Sequence, residues 1–369
     1  MKKICLCMIV KNEAHVIKRA LDSVKDFIDY WVIVDTGSTD DTKKIIQETM
    51  RGIAGELVDV PWKNFGFNRS ESLRIAKDKS DYSLVLDADE FMVFKEGFDK
   101  DKFKESLILD LYDVTFQLGS TIYTRSVLTK NSLDWSYKGI VHEFPVSVEA
   151  VKSRGNAEGF IQTTRSDGSR SQGEDKRVKY AQDARLIEEA LVSETDPLLI
   201  TRYAFYLAQS YRDSQQTQLS YEAYLKRTAL GGWKEELSVS FFNAGELAIK
   251  LNKTQEEVLS LFSKSFGATP WRAEAVHAAV RYLRLKGQFG LAYLLAKSAL
   301  DIPVPDKSLF VKIWVYEYSL LDEFAVCAFY IGKFGECRDA CLKLLSSGKL
   351  PSDSIGRVEK NIEFCEGKF

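Results

Sequence analysis

Three histidines, seven prolines and four methionines are few for 369 residues. His15, His142 and His277 are too few for a histidine-rich metal centre. Basic runs are missing: 51 Lys+Arg against 53 Asp+Glu leave a formal charge of −2. Such a chain lacks the field that grips phosphate backbones, so a nucleic-acid partner is not expected. No apolar run approaches the ~18 residues that a membrane span requires. The first apolar stretch, Ile4 to Val10 after Lys2-Lys3, has the outline of a leader. Lys11-Asn12-Glu13 interrupts it without a small-residue cleavage site, so a buried first strand in a soluble, cytoplasmic protein is expected. No Gly-x-Gly-x-x-Gly, Gly-Lys-Ser/Thr or Gly-x-Ser-x-Gly element occurs, which argues against a dinucleotide enzyme, a phosphate-loop NTPase and an α/β-hydrolase.

What is present is globular. Hydrophobic residues make up 45% and charged residues 28%, enough apolar material for a core. Length predicts two or three domains. Of the six cysteines, Cys5 and Cys7 share a face of one strand, and Cys337 and Cys341 share a face of one helix. No nearby Cys or His completes a four-ligand set around the second pair, so buried thiols in a reducing compartment are expected.

The chain reads as two halves. Up to about residue 150, apolar runs alternate with helical patterns. Strands are predicted at Ile4–Val10, Trp31–Val34, Leu57–Val60 and Tyr82–Leu86, and helices over 14–27, 42–50 and 69–79. Strand and helix in alternation mean βαβ units, a Rossmann-like, mostly parallel sheet, and ligands at the carboxyl ends of its strands. Residues 151–177 are polar and read as a linker or a lid over the site. From 178 to 369 the pattern is helical. Gly287-Gln288-Phe289-Gly290-Leu291-Ala292 matches Gly332-Lys333-Phe334-Gly335-Glu336-Cys337 at a separation of 45 residues. That is helix–turn–helix repetition, with a plain helical bundle as the alternative.

Carboxylates gather where the strands end. Strand four runs into Asp87-Ala88-Asp89-Glu90, an acidic cluster that calls for a cation such as Mg2+ or Mn2+ with phosphates in the remaining positions. Strand two ends in Asp35-Thr36-Gly37-Ser38-Thr39-Asp40. Capping of the next helix explains Ser38 to Thr42 but leaves Asp35 free to accept from a ribose hydroxyl or a base N–H.

Met8-Ile9-Val10-Lys11-Asn12-Glu13, Val34-Asp35-Thr36-Gly37-Ser38-Thr39-Asp40 and Leu86-Asp87-Ala88-Asp89-Glu90, in this order, resemble the family 2 glycosyltransferases of GT-A fold. The resemblance covers roughly residues 1–150. The helical half resembles the tetratricopeptide-type extension of some members. The resemblance implies a sugar moved from a nucleotide-diphosphate donor, a UDP-sugar first among them, with metal dependence and inversion. It also implies roles for residues. Glu13, Asp35, Asn68, Arg69, Asp87 and Ala88 would line the nucleotide, with Asn68-Arg69 opening the helix before strand four. Asp87 and Asp89 would bind Mn2+ or Mg2+. An inverting enzyme needs a general base, and the region Trp135 to Glu143 places Glu143 first, with His142 as the alternative base, a metal ligand or an orienting group. Trp135 is open between sugar stacking and burial. The stretch 162–171 lacks the histidine that many such enzymes supply to the metal. Asp167 stands there as a substitute, or Arg165 and Arg170 neutralise the diphosphate. The acceptor is open among peptide, protein, glycan, small metabolite and modified DNA base, the last disfavoured by the missing basic run; a peptide, protein or glycan would be held by the helical half. The competing reading is a non-catalytic helical-repeat scaffold on a degenerate transferase domain.

Overall fold

Alternating apolar runs and amphipathic helices build the first 192 residues around one twisted sheet. The computed structural model of the chain describes every residue except 120, 170–174, 306–307 and 369, and omits the side chains of 121 and 122. Two compact units result, Met1–Val192 and Ser193–Phe369.

In the first unit, β1 (Ile4–Val10) is an almost wholly buried strand, as its unbroken apolar sequence requires. It is flanked in parallel by β2 (Tyr30–Asp35) and β4 (Tyr82–Val85), and β2 pairs in parallel with β3 (Gly55–Asp59). The helices α1 (Ile17–Val24), α2 (Thr42–Thr49) and α3 (Phe65–Ala76) make the crossovers. The sheet continues through β5 (Glu90–Phe94), β6 (Leu111–Leu118), β7 (Thr121–Lys130) and β10 (Arg154–Thr164), in the order β3-β2-β1-β4-β7-β6-β10-β5. Four of its seven pairings are parallel. The short α4 (Lys100–Ser106) lies between β5 and β6, and α5 (Lys176–Leu191) closes the unit. A hairpin of β8 (Trp135–Lys138) and β9 (Phe144–Ser147) stands apart from the main sheet.

The expected linker or lid over 151–177 is therefore corrected. Its first part is β10, parallel to β6 and antiparallel to β5 inside the sheet. Alternate residues Ala157, Phe160 and Gln162 are buried while their neighbours are not, and a bulge between Ala157 and Gln162 accommodates the change of face. Phe160 joins Phe27, Phe94, Phe98 and Phe103 in one aromatic cluster, with contacting ring centroids 5.0–6.0 Å apart. The start expected for the helical half, residue 178, also moves, since α5 belongs to the first unit.

Helix α3 starts four residues earlier than its apolar pattern suggested. Asn64 caps it, its side chain accepting from the Phe67 N–H. Asn68 and Arg69 thus sit in its second turn. A Cβ on Gly66 would lie 2.5 Å from the Gly139 carbonyl oxygen, so only glycine lets α3 approach the β8–β9 hairpin this closely. Ser70 reinforces the contact by accepting from the Tyr137 N–H at 2.8 Å.

The second unit is helical throughout its described residues: α6 (Pro197–Asp213), α7 (Thr217–Ala229), α8 (Lys234–Lys250), α9 (Gln255–Ala268), α10 (Glu274–Leu285), α11 (Phe289–Ala299), α12 (Leu320–Tyr330), α13 (Phe334–Ser346) and α14 (Ser352–Cys365). The two matching glycine motifs are the turns between α10 and α11 and between α12 and α13. Gly287 and Gly332 there have φ of 73° and 77°. The 45-residue spacing comes from an inserted loop and a π-helical turn, Val315–Ser319, that leads into α12. A buried cluster anchors this insert: Arg272 pairs with Glu235 and Glu274 at 2.6 and 2.9 Å, and Tyr316 donates to Glu274 at 2.7 Å. All six cysteines are buried free thiols. No helix among the described residues is long and apolar enough to cross a membrane.

Candidate active site

The parallel strands β1, β2 and β4 all end on one side of the sheet, and their polar continuations interlock there. Asn12 N–H donates to Ser38 Oγ and Glu13 N–H to Thr42 Oγ1, each at 2.8–2.9 Å. Asp35 is sealed at the end of β2. Its Oδ1 accepts from the Gly37 and Ser38 N–H groups at 2.8 and 2.7 Å. Its Oδ2 is buried and has no hydrogen-bond partner among the described residues. A buried oxygen left without a donor costs about 1–3 kcal/mol. The carboxylate expected to be free thus spends one oxygen on its own turn, with Lys43 Nζ 3.9 Å from that oxygen.

Arg69 reaches from the second turn of α3 to two carboxylates. Its Nη2 lies 2.6 Å from Asp87 Oδ1, and its Nε donates to Glu143 Oε1 at 2.5 Å. Burial opposes the guanidinium charge, but Asp87 and Glu143 outweigh it and hold Arg69 protonated. Burial likewise opposes ionisation of Asp87, yet Arg69 and Arg125 keep its carboxyl below the usual range. Asp89 is pushed upward, first by burial and then by the Asp87 charge, while Thr164 Oγ1 donates to its Oδ2 at 3.1 Å.

Glu90 is not a free member of the acidic cluster. Arg125 of β7 grips it through two bonds of 2.6 and 3.2 Å, and its Oε2 accepts from the Asp87 N–H. Arg69 holds Asp87 as Arg125 holds Glu90, so the apparent surplus of three carboxylates reduces to Asp89.

The segment after β10 folds over this cluster. Ser169 N–H donates to both oxygens of Glu13 at 3.0 and 3.2 Å. Burial raises the Glu13 carboxyl to about 7, against the opposing Ser169 bond and with a further push from Asp89. A Cβ on Gly168 would come within 3.0 Å of Asp89 Cβ. Asp167, the expected substitute metal ligand, is instead held by Arg19 of α1 in a two-pronged pair of 2.8 and 2.5 Å. His15 Nε2 lies 2.8 Å from the Asp167 carbonyl oxygen. Arg165 is exposed, with its guanidinium 5.8 Å from the centre of the Phe91 ring. Arg170 lies outside the described residues.

Other expected residues have internal duties. Asn68 is fully buried, accepting from the Lys63 N–H and donating to the Pro61 carbonyl, which ties the β3–α3 loop together. Ala88 packs in the core of the first unit. Trp135 is half-buried, and its Nε1 donates to the Lys130 carbonyl at 2.9 Å. His142 is exposed with a left-handed φ of 52°. Sequence reasoning missed Arg19 and Arg125, whose isolated charges in amphipathic elements carry no local signal.

Residues 5–95 match the family described as Glycosyl transferase family 2. A TPR repeat-containing protein of Synechococcus elongatus is 33% identical over 150 residues, covering 39% of this chain and 35% of that protein. An uncharacterized glycosyltransferase of Rickettsia felis is 38% identical over 92 residues, 24% of this chain and 30% of its own length. The chain thus spans about a third of the length of these relatives. Among solved structures, S. aureus TarS is similar at 12% identity with a TM-score of 0.38, covering 70% of this chain and 54% of that one. Within this chain, the stretch that matches the family 2 glycosyltransferase model lies in the first compact unit, and the helical unit Ser193–Phe369 follows it.

Proposed function

We propose that this protein transfers a sugar from a nucleoside-diphosphate donor to an acceptor. The observation that carries the reading is Asp35 Oδ2, a buried carboxylate oxygen at the carboxyl end of a parallel strand with no donor among the described residues. Ribose hydroxyls and base N–H groups are the donors such an atom lacks. The choice of UDP rests on the family resemblance. Asp87 and Asp89 offer the oxygen ligands a hard divalent cation takes; Asp87 would have to share its carboxylate with Arg69, and no group of three or more metal-ligating side chains gathers among the described residues, so phosphate would fill the remaining positions. Mg2+ or Mn2+ held by them would neutralise the charge of the departing diphosphate. Arg69, Asp87 and Glu143 form one charged chain across the site, so the donor and acceptor sides are held by the same side chain. In this reading Glu143 takes the acceptor's proton as the hydroxyl attacks the anomeric carbon, with inversion, and Arg69 orients the carboxylate. Its exposed neighbour His142 is the competing base.

The test is thermal unfolding with and without UDP and Mn2+. A ligand that binds only the folded state at 100 times its Kd adds about 2.7 kcal/mol. The melting temperature should rise with UDP and Mn2+ together, and the rise should vanish in Asp35→Ala. No shift with any nucleoside diphosphate at millimolar concentration overturns the proposal.

A further inference from the structure

A cavity of about 500 Å3 lies wholly within the helical unit. That volume falls in the range of small-molecule sites. Two ion pairs converge in it. Arg284 of α10 grips Glu323, with Nη2 3.0 Å from Oε1. Arg357 of α14 grips Asp322 through bonds of 3.0 and 2.7 Å. Asp322 and Glu323 are adjacent in the first turn of α12, so two guanidinium planes flank one helix start. The lining charges sum to zero, and every charge already has its partner. An ionic ligand would have to break a two-pronged pair to bind, so the cavity suits an uncharged one.

The remaining wall gives that ligand its character. Tyr330 and Phe364 are 61% and 56% exposed and stand among the most exposed aromatic rings of the described residues. Tyr330 is fixed in place by stacking on Phe289, with centroids 4.1 Å apart and planes 9° from parallel. Asn361 brings an amide to the same wall. Rigid aromatic faces beside carboxylate, guanidinium and amide edges are complementary to a pyranose. Its C–H face carries the slight positive charge that a π face attracts. Its neighbouring hydroxyls can donate to the spare lone pairs of Asp322 and Glu323 while accepting from Asn361 and the outer guanidinium N–H groups.

We propose that this cavity between α10, α12 and α14 binds a neutral saccharide. That the saccharide is part of the acceptor rests on the sugar-transfer reading; the binding itself does not. The experiment is saturation-transfer NMR on the full chain with chitotriose, maltotriose, cellotriose and mannotriose as probes. At least one should receive saturation at its ring C–H protons, with the signal falling at least fivefold in the double variant Tyr330→Ala/Phe364→Ala. Tyr330→Trp, which keeps a platform, should retain it. Asp35→Ala should leave it unchanged, since that residue belongs to the other unit. Both aromatic positions are exposed, and an unaltered circular dichroism spectrum verifies that the double variant folds. Absence of saturation on all four sugars overturns the proposal, as does a wild-type signal in the double variant. Saccharide binding without any UDP-induced thermal shift would retain this site and remove the transfer reading, so the two fail separately.

Discussion

Arg69 and Glu143, 74 positions apart in sequence, meet in a largely buried ion pair in which the Arg69 Nε lies 2.5 Å from the Glu143 Oε1. The same guanidinium holds Asp87, so helix α3 joins the end of strand β4 to the hairpin region through one side chain.

Removing that guanidinium should be costly to the fold. Arg69→Ala leaves Glu143 and Asp87 without their cation. Breaking a buried pair costs about 3–5 kcal/mol, and partial exposure of Asp87 brings the expectation down to about 2–4 kcal/mol. Urea unfolding at pH 7 measures it. Adding Glu143→Gln should recover part of the loss; a double variant no more stable than the single one would show that the pair is not coupled.

Turnover distinguishes the two candidate bases. Glu143→Gln should lower transfer at least a hundredfold while leaving the UDP-induced thermal shift in place, and His142→Ala should lower it only a few fold. The reverse pattern assigns the proton to His142.

Glu13 should make the first unit sensitive to mild alkali. Its folded pKa of about 7 lies above the ordinary glutamate value, so the native state holds a proton that the unfolded state releases earlier. Stability from this group is full below about pH 4.5 and is lost as pH rises through 7. Glu13→Gln removes the titration and keeps an acceptor for Ser169. The variant should match the wild type at pH 4.5 and exceed it by about 1–2 kcal/mol at pH 8, a range discounted for the partial exposure of Glu13. Equal stability curves across that window would show that Glu13 is not raised.

His277 should act in the opposite sense in the helical unit. It is buried, bonded to Ser319 Oγ at 2.8 Å, and burial lowers its pKa to about 4. The unfolded chain takes up the proton first, so stability present above pH 6.5 is lost as pH falls to about 4. His277→Gln should flatten the acid limb, shrinking the wild-type loss between pH 7 and 4.5 by about 2–3 kcal/mol in chemical unfolding. An unchanged acid limb would refute the burial argument.

Much of this architecture was readable because its signals are local. The uninterrupted apolar run of Ile4–Val10 marks a strand buried on both faces, and Asp35 is conspicuous as a carboxylate that capping does not use. The chemistry beyond them is written in pairs far apart. Arg19 and Asp167 are separated by 148 positions, and nothing in either neighbourhood announces the other. Glu90 looked free because Arg125, which neutralises it, stands 35 residues away on another strand. The resemblance alone assigns Asn68 to the nucleotide; a buried asparagine satisfied by Lys63 and Pro61 has the same letter as one that waits for substrate. β10 hid because interior strands are usually apolar, whereas Arg154, Asn156, Glu158 and Gln162 give this one a linker's composition.

β10 also dictates where the chain can be cut. A catalytic fragment ended at residue 150 would delete the strand that lies between β6 and β5. Strand β6 would then present a raw edge to other molecules, and β5, which follows directly on Asp89, would lose its antiparallel neighbour. The loop carrying Ser169 would go with it, uncovering Glu13. A fragment meant for crystallisation or assay should therefore run to Val192, where the first compact unit ends.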